Sequence, residues 1–190
     1  MGQHALRRMG ADEFLDWDIN QPDARHELID GVPRAMTGAQ RRHDLIITNG
    51  MRELGNRLLD GPCVPFTADI ALRMSNGNVR RPDIGVDCGP IPDAFTYSAA
   101  PRLLIEVLSP STRPLDQARK LEEYKSIGSL VYILLVEQLA SEVMLWSRGP
   151  GGTWQHITLS GLDAVIDLPA LDISLPLSGL YHRVVFDDPP

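Results

Sequence analysis

Leu103-Leu104-Ile105-Glu106-Val107-Leu108-Ser109 is an apolar run with a single carboxylate inside it. Its length and aliphatic content read as a buried strand, which is where an acid is least welcome. A second stretch, Arg80-Arg81-Pro82-Asp83-Ile84-Gly85-Val86, repeats the pattern around Asp83. An unpaired buried carboxylate is costly or is neutralised by a shift of its pKa. Two acids in such positions therefore point to a shared cation, of which a divalent metal is the simplest.

Outward from Glu106, Leu115 to Ile127 has helical character, closes at Gly128, and carries Lys120. Leu130 to Val136 is continuously apolar, as expected of a strand covered on both faces. Upstream, Ala11 to Trp17 reads as a short helix. Arg25 to Ile29 and Val32 to Met36 read as a hairpin across Asp30-Gly31. Gln40 to Leu59 has apolar residues at helical spacing. Val64 to Phe66, Asp69 to Met74 and Pro82 to Val86 read as strands, the last two joined around Ser75-Asn76-Gly77-Asn78. The turn Ser109-Pro110-Ser111-Thr112 is expected to open the Lys120 helix. Glu142 to Ser147 and Thr153 to Leu159 form a second hairpin, a strand-like piece runs to Ile166, and Leu171 to Phe186 reads as loop and short helix. This order predicts an α/β (α+β) fold, with a mixed β-sheet flanked by helices, one crossover helix, and extra β-hairpins at both ends.

A chain of 190 residues with 43% hydrophobic content is expected to form a single domain over 1–190. No apolar run approaches the roughly 18 residues a membrane span needs, so a soluble, cytoplasmic protein without a membrane partner is expected. Cys63 and Cys88 lack metal-ligand spacing and read as thiols of a reducing compartment. The net charge of −7 argues against nonspecific coating of nucleic acid and leaves phosphate recognition to local arginine doublets such as Arg80-Arg81.

If the Asp83 and Glu106 strands pair, both carboxylates converge on one ion from the same face, and the Val107 backbone carbonyl adds a third oxygen. Hard oxygen ligands suit Mg²⁺, with Mn²⁺ as its substitute. Lys120 on the next helix then positions water and offsets developing negative charge. Plainer readings stand beside these: Asp83 as a strand-initiating acid after proline, Glu106 on an edge facing water, and Lys120 as a solvated partner of Asp116.

Acid, acid, lysine in this order resembles the PD-(D/E)XK nuclease superfamily. More closely, Ile105-Glu106-Val107-Leu108-Ser109-Pro110-Ser111-Thr112 with Asp116, Lys120 and Tyr124 resembles the signature of the bacterial "putative restriction endonuclease" family, formerly a domain of unknown function. Glu27-Leu28-Ile29-Asp30-Gly31, His43, Arg81-Pro82-Asp83 and Val131 to Val136 extend the resemblance over about residues 11 to 182. It implies a restriction-endonuclease-like core and a Mg²⁺-dependent endonuclease that hydrolyses DNA phosphodiester bonds through a metal-activated water. Asp83 and Glu106 are then metal ligands, Lys120 is the catalytic lysine, and Glu27 is an N-terminal acid of the site. Leu108 stands where the superfamily usually has lysine, and Lys120 takes the position the family uses instead. A homodimer acting on DNA is implied as well. His43, Asp69, Arg81 and Tyr124 are further candidates for substrate contact or support. His43 also reads as a helix-surface residue, Glu27 as the outer face of a hairpin, Asp69 as an edge residue, and Tyr124 as core filling. A catalytically inactive, nuclease-fold binding or regulatory module is the alternative function, and a small-molecule metallohydrolase is a third reading.

Overall fold

The computed structural model describes residues 8–36, 40–90, 96–109 and 114–186. Helix α1 (Ala11–Ile19) buries Phe14 and Leu15. It leads into the hairpin of β1 (His26–Ile29) and β2 (Val32–Ala35). Asp30 and Gly31 at its tip have φ of 52° and 78°, the left-handed pair that a two-residue turn requires. Helix α2 (Arg41–Leu58) follows. Then come β3 (Cys63–Thr67), β4 (Ala71–Arg73), β5 (Val79–Arg80), β6 (Ile84–Cys88), β7 (Tyr97–Ser98) and β8 (Pro101–Leu108). Helix α3 (Pro114–Lys125) precedes β9 (Tyr132–Glu137), β10 (Glu142–Arg148), β11 (Trp154–Ser160), β12 (Val165–Leu168), β13 (Ile173–Pro176) and α4 (Leu177–Leu180).

Among the described residues, six strands form the main sheet in the order β11-β10-β9-β8-β6-β3, five form a second sheet in the order β2-β1-β5-β4-β7, and β12 pairs with β13. Strands β8 and β9 are parallel, joined by α3 as the crossover, while β6 and β10 run antiparallel to their neighbours. The architecture is the expected mixed α+β one. Strand β8 lies inside the main sheet, so Glu106 is not on an edge. Alternation along β8 sends Leu103, Ile105 and Val107 into a core with Ile46, Leu54 and Leu58 of α2. Leu104 goes to the other side, into a core with Tyr124 of α3 and Ile133. Glu106 shares the parity of Leu104 and so projects toward α3.

Four expectations are corrected. The strand after the Ser75–Asn78 turn is β5, which pairs with β4, and the chain then changes sheets through Arg81-Pro82-Asp83. Pro82 has no N–H to continue a ladder, so the pairing stops there. Asp69 sits in a turn ahead of β4 and not in a strand. The C-terminal stretch contains a strand, β13, whose Leu175 is buried opposite Ile166. Cys63 and Cys88 are not free thiols: they face each other across β3 and β6 and form a disulfide. Residues 110–112 of the turn expected to open α3 lie outside the described residues.

Candidate active site

The register of β6 against β8 places Ile84 opposite Ile105. One step further, Asp83 comes opposite Glu106, and the Val107 N–H donates to Asp83 Oδ2 at 2.7 Å. Two acids 23 positions apart are thus brought together by strand pairing alone. Both line one pocket of about 670 Å³, whose walls are the β1–β2 hairpin, the start of α2, the ends of β8 and β9, and α3.

Lys120 reaches into this pocket from α3. Its Nζ lies 2.9 Å from Glu106 Oε1 and 3.2 Å from Glu27 Oε1, and it makes no pair with Asp116. The Tyr124 hydroxyl, one helical turn on, donates to Glu106 Oε1 at 2.6 Å. Tyr124 therefore fills core with its ring and holds the same carboxylate as the lysine with its oxygen. Glu27 faces the pocket from β1 and not from the outside of the hairpin. Its Oε1 accepts the Arg81 backbone N–H, and its Oε2 accepts Arg80 Nη1, each at 3.0 Å. His43, from the first turn of α2, is mostly buried, with Nε2 3.4 Å from Asp83 Oδ2.

Two of the expected residues do not join this group. Asp69 is exposed and paired with Arg25. The guanidinium of Arg81 is buried away from the pocket, donating to Asp18, to the His26 carbonyl and to the carbonyls of Ala68 and Asp69. Its neighbour Arg80 is the pocket residue instead. It is buried between Glu27 and Glu123, with Nε 2.6 Å from Glu123 Oε2. Successive side chains on an extended chain point to opposite sides, so one arginine of the doublet must face the pocket and the other must not. The sequence carried the doublet but not the parity. Gln138 was also missed: it lines the pocket just after β9, almost wholly buried, and its Oε1 has no hydrogen-bond partner among the described residues.

The electrostatics follow from three carboxylates crowding one ammonium. Burial pushes the Glu106 carboxyl up to about 7, and the charge of Asp83 pushes the same way, against the pull of Lys120 and Tyr124. Burial alone would lower Lys120, yet Glu106, Glu27 and Asp83 together hold it well above the ordinary lysine value. Glu27 is held below the ordinary carboxylate value, because Lys120, Arg80 and the Arg81 N–H outweigh its burial. The His43 imidazole is raised, burial being outweighed by Asp83, Glu106 and a backbone contact with Val107.

Among the described residues, no three His, Cys, Asp or Glu side chains form a closed ligand group. The open pair of Asp83 and Glu106 fits a cation that keeps several of its waters and takes one or two carboxylates, which is the habit of Mg²⁺. Burial is the main cause of the raised Glu106 carboxyl, and a cation bound beside it would favour its ionised form.

The mixed α+β fold has a counterpart among solved structures. A crystal structure of a "putative nuclease belonging to DUF820" from Anabaena variabilis superposes with a TM-score of 0.74 at 18% identity, covering 93% of this chain and 99% of that one. The chain belongs to the Uma2 family, described as "Putative restriction endonuclease", which matches residues 11–178. It is also 28% identical over 181 residues to an uncharacterized protein of Synechocystis sp., covering 94% of each. The family expected from the sequence motifs is the one found. No helix among the described residues is long and apolar enough to cross a membrane.

Proposed function

We propose that the chain is a Mg²⁺-dependent endonuclease that hydrolyses phosphodiester bonds of DNA. The observation that carries this reading is the convergence of Asp83, Glu106 and Lys120 from β6, β8 and α3 on one pocket. Mg²⁺ or Mn²⁺, held there by Asp83, Glu106 and the Val107 carbonyl, would supply a Lewis acid for the phosphoryl oxygen and a water of lowered pKa.

The chain's own groups do the remaining work. Burial disfavours the Lys120 ammonium, but Glu106, Glu27 and Asp83 hold it well above the ordinary lysine value, so it offers hydrogen bonds and positive charge. That charge offsets the negative charge that builds on the phosphoryl oxygens as water attacks. Tyr124 fixes the orientation of the Glu106 carboxylate. His43 and the Val107 N–H together hold Asp83. Each contact reduces the number of positions the reacting groups sample, which is a large part of what a site contributes to rate.

Supercoiled plasmid incubated with Mg²⁺ tests the reading. The expected result is nicking and linearisation by the native protein and none by Asp83→Ala. Equal behaviour of the two proteins would defeat it.

A further inference from the structure

Glu27 and Arg80 form an arrangement that the metal-binding pair does not need. Each Glu27 oxygen is already engaged: Oε1 by the Arg81 N–H and Lys120, and Oε2 by Arg80. Two full positive charges thus act on this one carboxylate, and both would have to be released before it could coordinate an ion. The other two acids carry less: Asp83 Oδ2 meets one backbone N–H and an imidazole, and Glu106 meets a single ammonium, Lys120, at both oxygens together with the Tyr124 hydroxyl, so an ion at Glu106 displaces one cation where an ion at Glu27 displaces two. Arg80 is itself fixed from behind by Glu123, which also accepts from Asn76 at 3.0 Å, Asn78 at 2.7 Å and Arg119 at 3.2 Å. This network ties β1 and β5 to α3.

From this we infer that Glu27 is a positioning carboxylate for Lys120 and not a ligand of the cation, and that the buried Arg80–Glu123 pair holds it in that role. Lys120 is a long, flexible side chain on a helix, carrying considerable rotamer entropy. Glu106 alone would hold it from one strand. Glu27, on a different sheet, supplies the second anchor, so that the ammonium is fixed from two directions. The β1–β2 hairpin is then part of the catalytic apparatus through the lysine. The inference rests on the nuclease reading above and assigns a different task to one of its acids.

The chain has only two lysines, Lys120 and Lys125, so amine acylation read by peptide mass spectrometry reports on Lys120 with Lys125 as internal reference. In metal-free protein, Glu27→Gln is expected to raise the acylation rate of Lys120 relative to Lys125 severalfold. Calorimetric titration with Mn²⁺ should give an affinity within about threefold of the native protein, while Asp83→Ala gives no binding. With plasmid, kcat should fall about 10²-fold, the scale of loss for a misplaced reacting group, at little change in KM. Glu27→Asp, which keeps the charge but shortens the reach, should recover part of that loss. Arg80→Lys should move acylation and kcat in the same direction as Glu27→Gln, and thermal melts of each variant would show that it is folded. Loss of Mn²⁺ binding in Glu27→Gln, or an unchanged acylation ratio, would overturn the inference while leaving the nuclease reading intact. No Mn²⁺ binding by the native protein would remove the metal reading, and this inference with it.

Discussion

At the residue scale, the site turns on a carboxylate buried beside another acid. Burial first, and after it the charge of Asp83, push the Glu106 carboxyl up to about 7 against the pull of Lys120. An incoming divalent cation must displace its proton, so Mn²⁺ affinity measured by calorimetry should strengthen by up to about tenfold per unit as pH rises toward 7 and then level off. A flat profile between pH 5 and 7 would mean that Glu106 does not take part. His43→Ala frees Asp83 from one of its two restraints without removing a ligand. It is expected to lower kcat more than it weakens Mn²⁺ binding, by about 10-fold or more in steady-state assays. Asp83 and Glu106 were legible in the sequence because an acid in an apolar strand is a conflict that needs a cause, whereas Glu27, His43, Lys120 and Tyr124 entered through the family resemblance. Arg80 and Gln138 were not legible, since their part depends on which way an extended backbone turns them.

At the scale of elements, the hairpin at Asp30-Gly31, the long α2, and the β8-α3-β9 crossover were readable from periodicity and turn chemistry. Strand partners outside the hairpins were not readable, because such pairing is set by register across long separations. The β3–β6 pair shows this most clearly. Phe66 lies opposite Gly85, and a Cβ on Gly85 would come within 2.1 Å of the Phe66 ring. Gly85→Ala should therefore force the ring to move and cost about 2 kcal/mol in urea denaturation, typical of an overpacked core. A change under about 0.5 kcal/mol would contradict that packing. The same register joins Cys63 to Cys88, with 25 positions between them. Closing a loop of this length restricts the unfolded chain by about 3 kcal/mol. Protein unfolded without reductant should show no free thiols, and reduction should lower its urea midpoint. The reading of both cysteines as thiols came from compartment and spacing, neither of which contains strand register.

For the whole molecule, the buried acids act in opposite senses on stability. Without metal, Glu106 binds its proton more tightly when folded, so the fold loses stability as pH rises from the ordinary glutamate value toward about 7. The raised His43 continues this loss at higher pH, from the ordinary histidine value upward. Glu27 and Glu123 are held below the ordinary value, so the stability they contribute is present above it and is lost as pH falls through their lowered values. Metal-free protein should accordingly melt highest near pH 5, and saturating Mg²⁺ should move that maximum upward by stabilising the ionised site. Thermal melts with and without chelator check this, and a maximum at the same pH in both would speak against it. The two-sheet architecture was only partly legible. The sequence showed most strands and their order, without β5, β7 and β13, but the change of sheet at Pro82 is a three-dimensional event, and it is this change that delivers Asp83 to Glu106. The most direct measurement is therefore an anomalous difference map from crystals soaked in Mn²⁺. The account predicts one strong peak between the Asp83 and Glu106 carboxylates, within reach of the Val107 carbonyl and with Glu27 still paired to Lys120. A peak elsewhere, or none at a concentration that supports cleavage, would contradict it.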